Sequence, residues 1–225
     1  MEAIPIEQSN YPAVLLSLSF LSYVLIRFRF TRRMSELLSA FASKRFISQL
    51  LREENPFLNV SSIVLYLNYV LNAALFFSLL LQQNVLEHPL FQGLTGFFFA
   101  LLLLFLFDLS KLLSYWGSAF IFQSETQTSN YVLYLMSSRQ VGGIIFFVLN
   151  LFLAYSPIPS IYIAWFALFN VSLLSLHRLI RSVPISQNFA SFSIHHFLLY
   201  ICTLELSPVL LGGKLFLINW FSVYY

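Results

Sequence analysis

The chain has 225 residues and a net charge of +3; 59% of its residues are hydrophobic and only 9% are charged. Its mean hydropathy is +0.79. Soluble domains carry about 25% charged residues, so this composition excludes a protein whose whole surface faces water. We therefore expect an all-α membrane protein, because a chain in lipid must satisfy its backbone hydrogen bonds internally. The single cysteine, Cys202, excludes an intramolecular disulfide and indicates no thiolate metal site.

The first apolar span is predicted at residues 12–30, and a basic segment follows it at 31–56. This segment is too polar to cross a membrane, but it contains two short apolar helical faces. Directly after a span, such a segment is typical of a cytoplasmic amphipathic helix that faces anionic lipid headgroups. Nucleic acid is a less suitable partner in this position. The segment either packs on the bundle or docks to lipid or a partner through its basic residues Arg32, Arg33, Lys44, Arg45 and Arg52.

The second and third spans, at 60–82 and 96–122, carry polar residues at helical spacing. In the second span these residues form one stripe, and such stripes usually face other helices rather than lipid. In the third span, four polar residues share one face after a strongly apolar start. The two stripes are Ser61, Asn68 and Asn72, and Asp108, Lys111, Tyr115 and Ser118.

Three further spans are predicted at 141–155, 161–180 and 195–220. Residues 131–140 are either a short interfacial helix or the start of the fourth span, and the following glycine pair, Gly142 and Gly143, permits a kink or a close helix contact. Asn170, His177 and Arg181 form a stripe on the fifth span, which we expect to end before Pro184.

The Lys and Arg residues alternate between connections, which predicts six spans with both termini on the non-cytoplasmic side. Lys214, near the C-terminus, is in mild conflict with this orientation. The predicted architecture is a single domain: a bundle of about six transmembrane helices with a cytoplasmic amphipathic segment after the first.

Two intramembrane acids are candidates for chemistry. Asp108 and Lys111 can pair on one helix face, either as a self-neutralising pair or as an ion or proton relay. Glu205 is expected near the middle of the last span, beside Pro208, whose missing amide hydrogen leaves a carbonyl unpaired. Glu205 belongs either to an ion or substrate site or to a structural salt bridge with Lys111.

Histidines give a weaker signal. His195 and His196 are adjacent in sequence and point about 100° apart on a helix, so they do not form the i, i+4 pair that binds one metal. The alternatives are a metal site that also uses His177 and, better supported, interfacial polar residues at helix starts. The sequence contains no metalloprotease, phosphate-loop, nucleophile-elbow or dinucleotide motif. We therefore expect no metal and no cofactor.

The last span contains the run FSIHHFLLYICTLELSP, which includes His195, Tyr200, Cys202 and Glu205. This run resembles a bacterial family of multi-pass inner-membrane proteins that is catalogued only as a domain of unknown function. The lysine at 111 and the basic segment after the first span are also similar. The resemblance implies a location in the bacterial inner membrane, and it implies no activity.

Three functional hypotheses follow. The leading one is a non-enzymatic subunit or scaffold of a larger inner-membrane assembly, in envelope biogenesis or protein export, with other membrane proteins as partners. The second is a small ion- or proton-coupled transporter or channel that uses Glu205, Asp108 and Lys111. The third is an intramembrane enzyme that modifies a lipid, which requires a lateral cavity lined by Glu205 and a histidine.

Overall fold

The structure is a computed structural model that describes residues 10–29, 60–84, 93–121 and 125–186, together with Lys214. Within these ranges the regular secondary structure is entirely helical. All five helices are long and apolar enough to cross a membrane. The five helices are α1 (Tyr11–Arg29), α2 (Val60–Asn84), α3 (Gly93–Ile121), α4 (Glu125–Tyr155) and α5 (Ser160–Ser186).

The all-α membrane fold predicted from the sequence is confirmed, with five helices in the described part of the chain close to the predicted six spans. The predicted amphipathic segment at 31–56 and the predicted sixth span at 195–220 lie outside the described residues.

Two helix boundaries differ from the sequence expectation. Residues 131–140, for which two alternatives were predicted, belong to the 31-residue helix α4 and form the start of the fourth span. Helix α3 begins at Gly93, three residues early, and this glycine has a φ of 60°, a conformation that L side chains rarely adopt. The predicted fifth span at 161–180 agrees with the candidate span Ser160–Ile180, but helix α5 itself continues past the predicted stop at Pro184 to Ser186. A proline near a helix end removes only one backbone hydrogen bond, which the last turn tolerates.

Helices α2 and α4 form the centre of the bundle. In the candidate spans, 61% of α2 and 67% of α4 are buried, against 17% of α1, 28% of α3 and 22% of α5. The contacts between Ser62 and Gln140 and between Asn72 and Asn150 show that α2 and α4 run in the same direction. Helices α1, α3 and α5 therefore surround a parallel pair and present apolar side chains outwards.

A glycine allows this central pair to approach closely. A Cβ atom at Gly143 of α4 would lie 2.9 Å from the Cα of Tyr69 on α2, closer than real Cβ atoms come to backbone. At Gly142 the nearest atoms are side-chain atoms at 3.7 Å, which is ordinary contact. The structure thus favours close helix contact as the role of Gly143.

Candidate functional site

The first of two buried polar groups, which we call the charged cluster, consists of Tyr66 on α2, Asp108 on α3 and Arg139 on α4. An Arg139 guanidinium nitrogen lies 2.9 Å from Oδ1 of Asp108, and each of the two side chains is only 8% exposed. The hydroxyl of Tyr66 donates a hydrogen bond to Oδ2 of the same carboxylate, at 3.0 Å. Both carboxylate oxygens therefore have a partner on a different helix.

The cationic side chains in and next to the charged cluster lie close to aromatic rings. The Arg139 guanidinium lies 6.0 Å from the centre of the Tyr66 ring, and the Lys111 ammonium lies 4.9 Å from the centre of the Phe107 ring. Lys111 is itself buried, with 5% of its surface exposed. Because the negative face of an aromatic ring attracts a cation, these contacts lower the cost of holding charge inside the bundle.

The charged cluster lies deep in the apolar part of its helices. Asp108 precedes the end of the span Gly93–Gly117, and Arg139 follows the start of the span Tyr131–Tyr155. At a rise of about 1.5 Å per residue, each lies roughly 12–14 Å from the nearer end of its span. The hydrocarbon core of a bilayer is about 30 Å thick, so this ion pair belongs near its middle rather than at its surface.

Two further polar contacts join α4 to α5. The hydroxyl of Tyr134 and Nδ1 of His177 lie 2.7 Å apart, and Nε of Arg178 donates to the hydroxyl of Ser138 at 2.8 Å. His177 is half-buried and Ser138 is fully buried. These contacts extend the polar layer from the charged cluster towards the C-terminal half of α5.

The second group, which we call the amide cluster, connects α1, α2 and α4 without formal charge. The hydroxyl of Ser19 donates to Oδ1 of Asn68 at 2.8 Å, and Nδ2 of Asn72 lies 2.7 Å from the same hydroxyl. Nδ2 of Asn68 also donates to the hydroxyl of Ser22, at 2.8 Å. Nδ2 of Asn150 donates to the backbone carbonyl of Asn72 at 2.8 Å and completes the cluster.

The amide cluster sets the position of α1. Only 17% of the α1 span is buried, so apolar packing provides little that is specific to one orientation. The bonds from Ser19 and Ser22 to the asparagines of α2 are directional, and interhelical hydrogen bonds of this kind fix register within a membrane. Near the other end of α2, Nε2 of Gln82 donates to the hydroxyl of Tyr11 at 2.7 Å.

The structure brings some of the sequence candidates together. Asp108 belongs to the charged cluster, and Lys111 contacts the Phe107 ring on the same helix. Asn68 and Asn72 belong to the amide cluster, and His177 contacts Tyr134. Sequence reasoning missed Arg139 as the partner of Asp108, because it assigned Arg139 to a connection. It also missed Ser19 and Asn150. His195, Glu205 and the basic residues of 31–56 lie outside the described residues.

No group of three or more His, Cys, Asp or Glu side chains suited to a metal ion occurs in the part of the chain that the structure describes. Both clusters instead consist of side chains that bond to each other across helix interfaces.

Comparison with known proteins gives a family. The sequence model of a family described as a domain of unknown function matches residues 13–216, which is most of the chain. The chain belongs to this family, DUF4271. The resemblance drawn from the last span is confirmed in this respect. No curated protein and no solved structure matches this DUF4271 chain.

Proposed function

We propose that this DUF4271 protein is a non-enzymatic subunit of a larger assembly in the bacterial inner membrane, acting in envelope biogenesis or protein export. The observation that supports a non-catalytic role is the bonding of the charged cluster across three helices. Both oxygens of Asp108 are bonded to groups on neighbouring helices, and the Asp108–Arg139 pair is almost fully buried. A carboxylate engaged in this way holds helices together, and a substrate or transported ion would have to compete with Arg139 and Tyr66 for its oxygens.

The outer helices supply the surfaces that a subunit needs. Large apolar side chains are exposed along α3 and α5, where Leu113 and Phe169 are each 64% exposed. These faces meet lipid or another membrane protein. A partner helix that covers one of these faces interacts through apolar packing rather than through polar or charged contacts.

Site-specific crosslinking in the native membrane tests this proposal. A photoreactive amino acid replaces Leu113 on α3 or Phe169 on α5, and Phe76, an aromatic residue that is only 3% exposed, provides the control position. We expect one of the two exposed positions to crosslink to a single partner protein in a defined ratio, and the control to give no intermolecular product. If both exposed positions react only with lipid, and the protein purifies in mild detergent as a monomer without a partner, the subunit proposal fails.

A second experiment separates a subunit from an ion-coupled transporter. The double variant Asp108→Asn with Arg139→Leu removes both charges of the pair without leaving either one unpaired. A subunit with a structural ion pair should still fold and form the same crosslink. If the double variant folds and forms the same crosslink but no longer supports the cell process that depends on this protein, transport is favoured instead. Glu205→Gln provides the parallel test of the acid predicted from the sequence, and a change only in the amount of folded protein would favour a structural role.

A further inference from the structure

Asn150 on α4 uses one end of its carboxamide and leaves the other without a partner. Its Nδ2 donates to the backbone carbonyl of Asn72 at 2.8 Å. Asn150 is fully buried, yet its Oδ1 has no hydrogen-bond partner in the part of the chain that is described. A buried acceptor that loses water and gains no donor destabilises the folded protein.

Rotation of the side chain does not remove this cost. Turning the carboxamide over would place Oδ1 against the carbonyl oxygen of Asn72, so that two acceptors would face each other. The hydroxyls of Tyr23 and Ser78 are also buried without a partner, but a hydroxyl hydrogen can rotate towards an available acceptor. The oxygen of Asn150 is different, because its direction is fixed by the bond that its own Nδ2 makes.

A second carboxamide oxygen lies beside the first. Oδ1 of Asn72 is 3.5 Å from Nδ2 of Asn150, at the outer limit of a hydrogen bond. Asn72 is 1% exposed, and its Nδ2 is occupied by Asn68 and Ser19. Oδ1 of Asn150 and Oδ1 of Asn72 therefore both lie close to Nδ2 of Asn150, one without a donor and the other with a long hydrogen bond, and a small molecule that donates two hydrogen atoms is chemically suited to them.

A metal cation does not suit these atoms. Two neutral oxygens do not offset the large free-energy cost of moving an ion out of water into an apolar medium. The carboxylate of Asp108 offers no compensation, because it is paired with Arg139. Water is neutral, has two donor hydrogens and is a common ligand of buried polar groups.

We propose that Asn72 and Asn150 bind a buried water molecule between α2 and α4, with one water hydrogen donated to each Oδ1. Buried waters make two to four hydrogen bonds in about this manner. The amide cluster is then a water-binding site at bilayer depth as well as a link between helices.

Water-edited solid-state NMR on the full chain in liposomes tests this site. Asparagine is isotopically labelled, and the variant Asn150→Leu assigns the Asn150 side-chain signal. We expect magnetisation from water to reach the Asn150 carboxamide severalfold faster than that of Asn170, which is the matched control. Nδ2 of Asn170 donates to the carbonyl of Phe166 on its own helix, on the outer side of the bundle.

A second measurement examines the acceptor pair. Asn72→Leu removes one of the two oxygens, so transfer from water to Asn150 should become slower. Transfer to Asn150 in the unmodified chain that is no faster than transfer to Asn170 would overturn the proposal. So would an experimental density map that shows a protein donor at Oδ1 of Asn150. Unchanged transfer in the Asn72→Leu variant would exclude the two-acceptor site.

Discussion

The charged cluster and the amide cluster compensate buried polar side chains in different ways. Both place polar side chains inside an apolar bundle, and both connect three helices. The charged cluster joins α2, α3 and α4 through an ion pair whose carboxylate has a partner at each oxygen. The amide cluster joins α1, α2 and α4 through neutral groups and leaves one acceptor over. A buried charge needs nearly complete compensation by opposite charge and hydrogen bonds, whereas a buried neutral amide that lacks one hydrogen bond costs less free energy.

The difference predicts unequal costs when one partner is removed. Breaking a buried ion pair leaves a charge without compensation, and breaking an amide contact leaves only a dipole. Four variants, measured as the free energy of unfolding of the full chain in detergent micelles, test this order from the largest effect to the smallest.

The largest loss is expected for Arg139→Leu. The carboxylate of Asp108 would keep only the Tyr66 hydroxyl, and removing one partner of a buried pair costs about 3–5 kcal/mol. Adding Asp108→Asn to this variant should restore most of the loss, because the unpaired charge is removed. A double variant that is no more stable than Arg139→Leu would contradict the direct coupling of the two side chains.

Gly143→Ala should follow, with a loss of about 1–3 kcal/mol, the usual cost of overpacking. The added Cβ would meet the backbone of Tyr69 at 2.9 Å, so the central helices must separate. Gly117→Ala on α3 is the control, since its Cβ meets nothing within 4 Å. This control should be neutral or stabilising, because alanine favours a helix more than glycine does. Equal effects at both positions would contradict the close contact between α2 and α4.

Asn72→Leu should cost about 1–2 kcal/mol, the range for interhelical hydrogen bonds in membrane model peptides. It removes the bond to Ser19 and the acceptor beside Asn150, and the leucine that replaces Asn72 has a similar size. Asn170→Leu is matched in chemistry, but Asn170 bonds to its own helix, so we expect little change. A larger loss of unfolding free energy for Asn170→Leu than for Asn72→Leu would contradict the assignment of Asn72 as the asparagine that joins helices.

The smallest effect is expected for Tyr66→Phe, at about 0.5–1.5 kcal/mol for one hydrogen bond. Arg139 still neutralises Asp108 in this variant, and the aromatic ring is retained. Tyr162→Phe serves as the comparison, because Tyr162 is 65% exposed. If Tyr66→Phe destabilises as strongly as Arg139→Leu, the tyrosine hydroxyl rather than the arginine is the main partner of the acid.

Composition and hydropathy were sufficient to predict the helices, since a charge-poor chain in lipid has few other solutions. The start of α4 was harder to place. Residues 131–135 are all buried, so they show no amphipathic period by which a helix face is recognised. Arg139 lies in the same stretch and was therefore read as part of a connection, which hid the partner of Asp108.

The amide cluster was predictable in one helix only. Asn68 and Asn72 share a face with Ser61, and a repeated polar stripe is visible in sequence. Their partners Ser19 and Asn150 are single polar residues in apolar helices, and nothing local marks them. Which separate residues meet depends on how the helices pack, and that information is not contained in any one segment.

The parallel pairing of α2 and α4 has a consequence for the order of synthesis. The ribosome completes α2 and then α3 before the first residue of α4 exists, so the central partner of α2 is the third helix of that series to be made. Until then, the backbone carbonyl of Asn72 lacks its donor Asn150, and the surface of Tyr69 lacks Gly143. The contact between α2 and α4 can therefore form only after the chain has been made as far as Asn150.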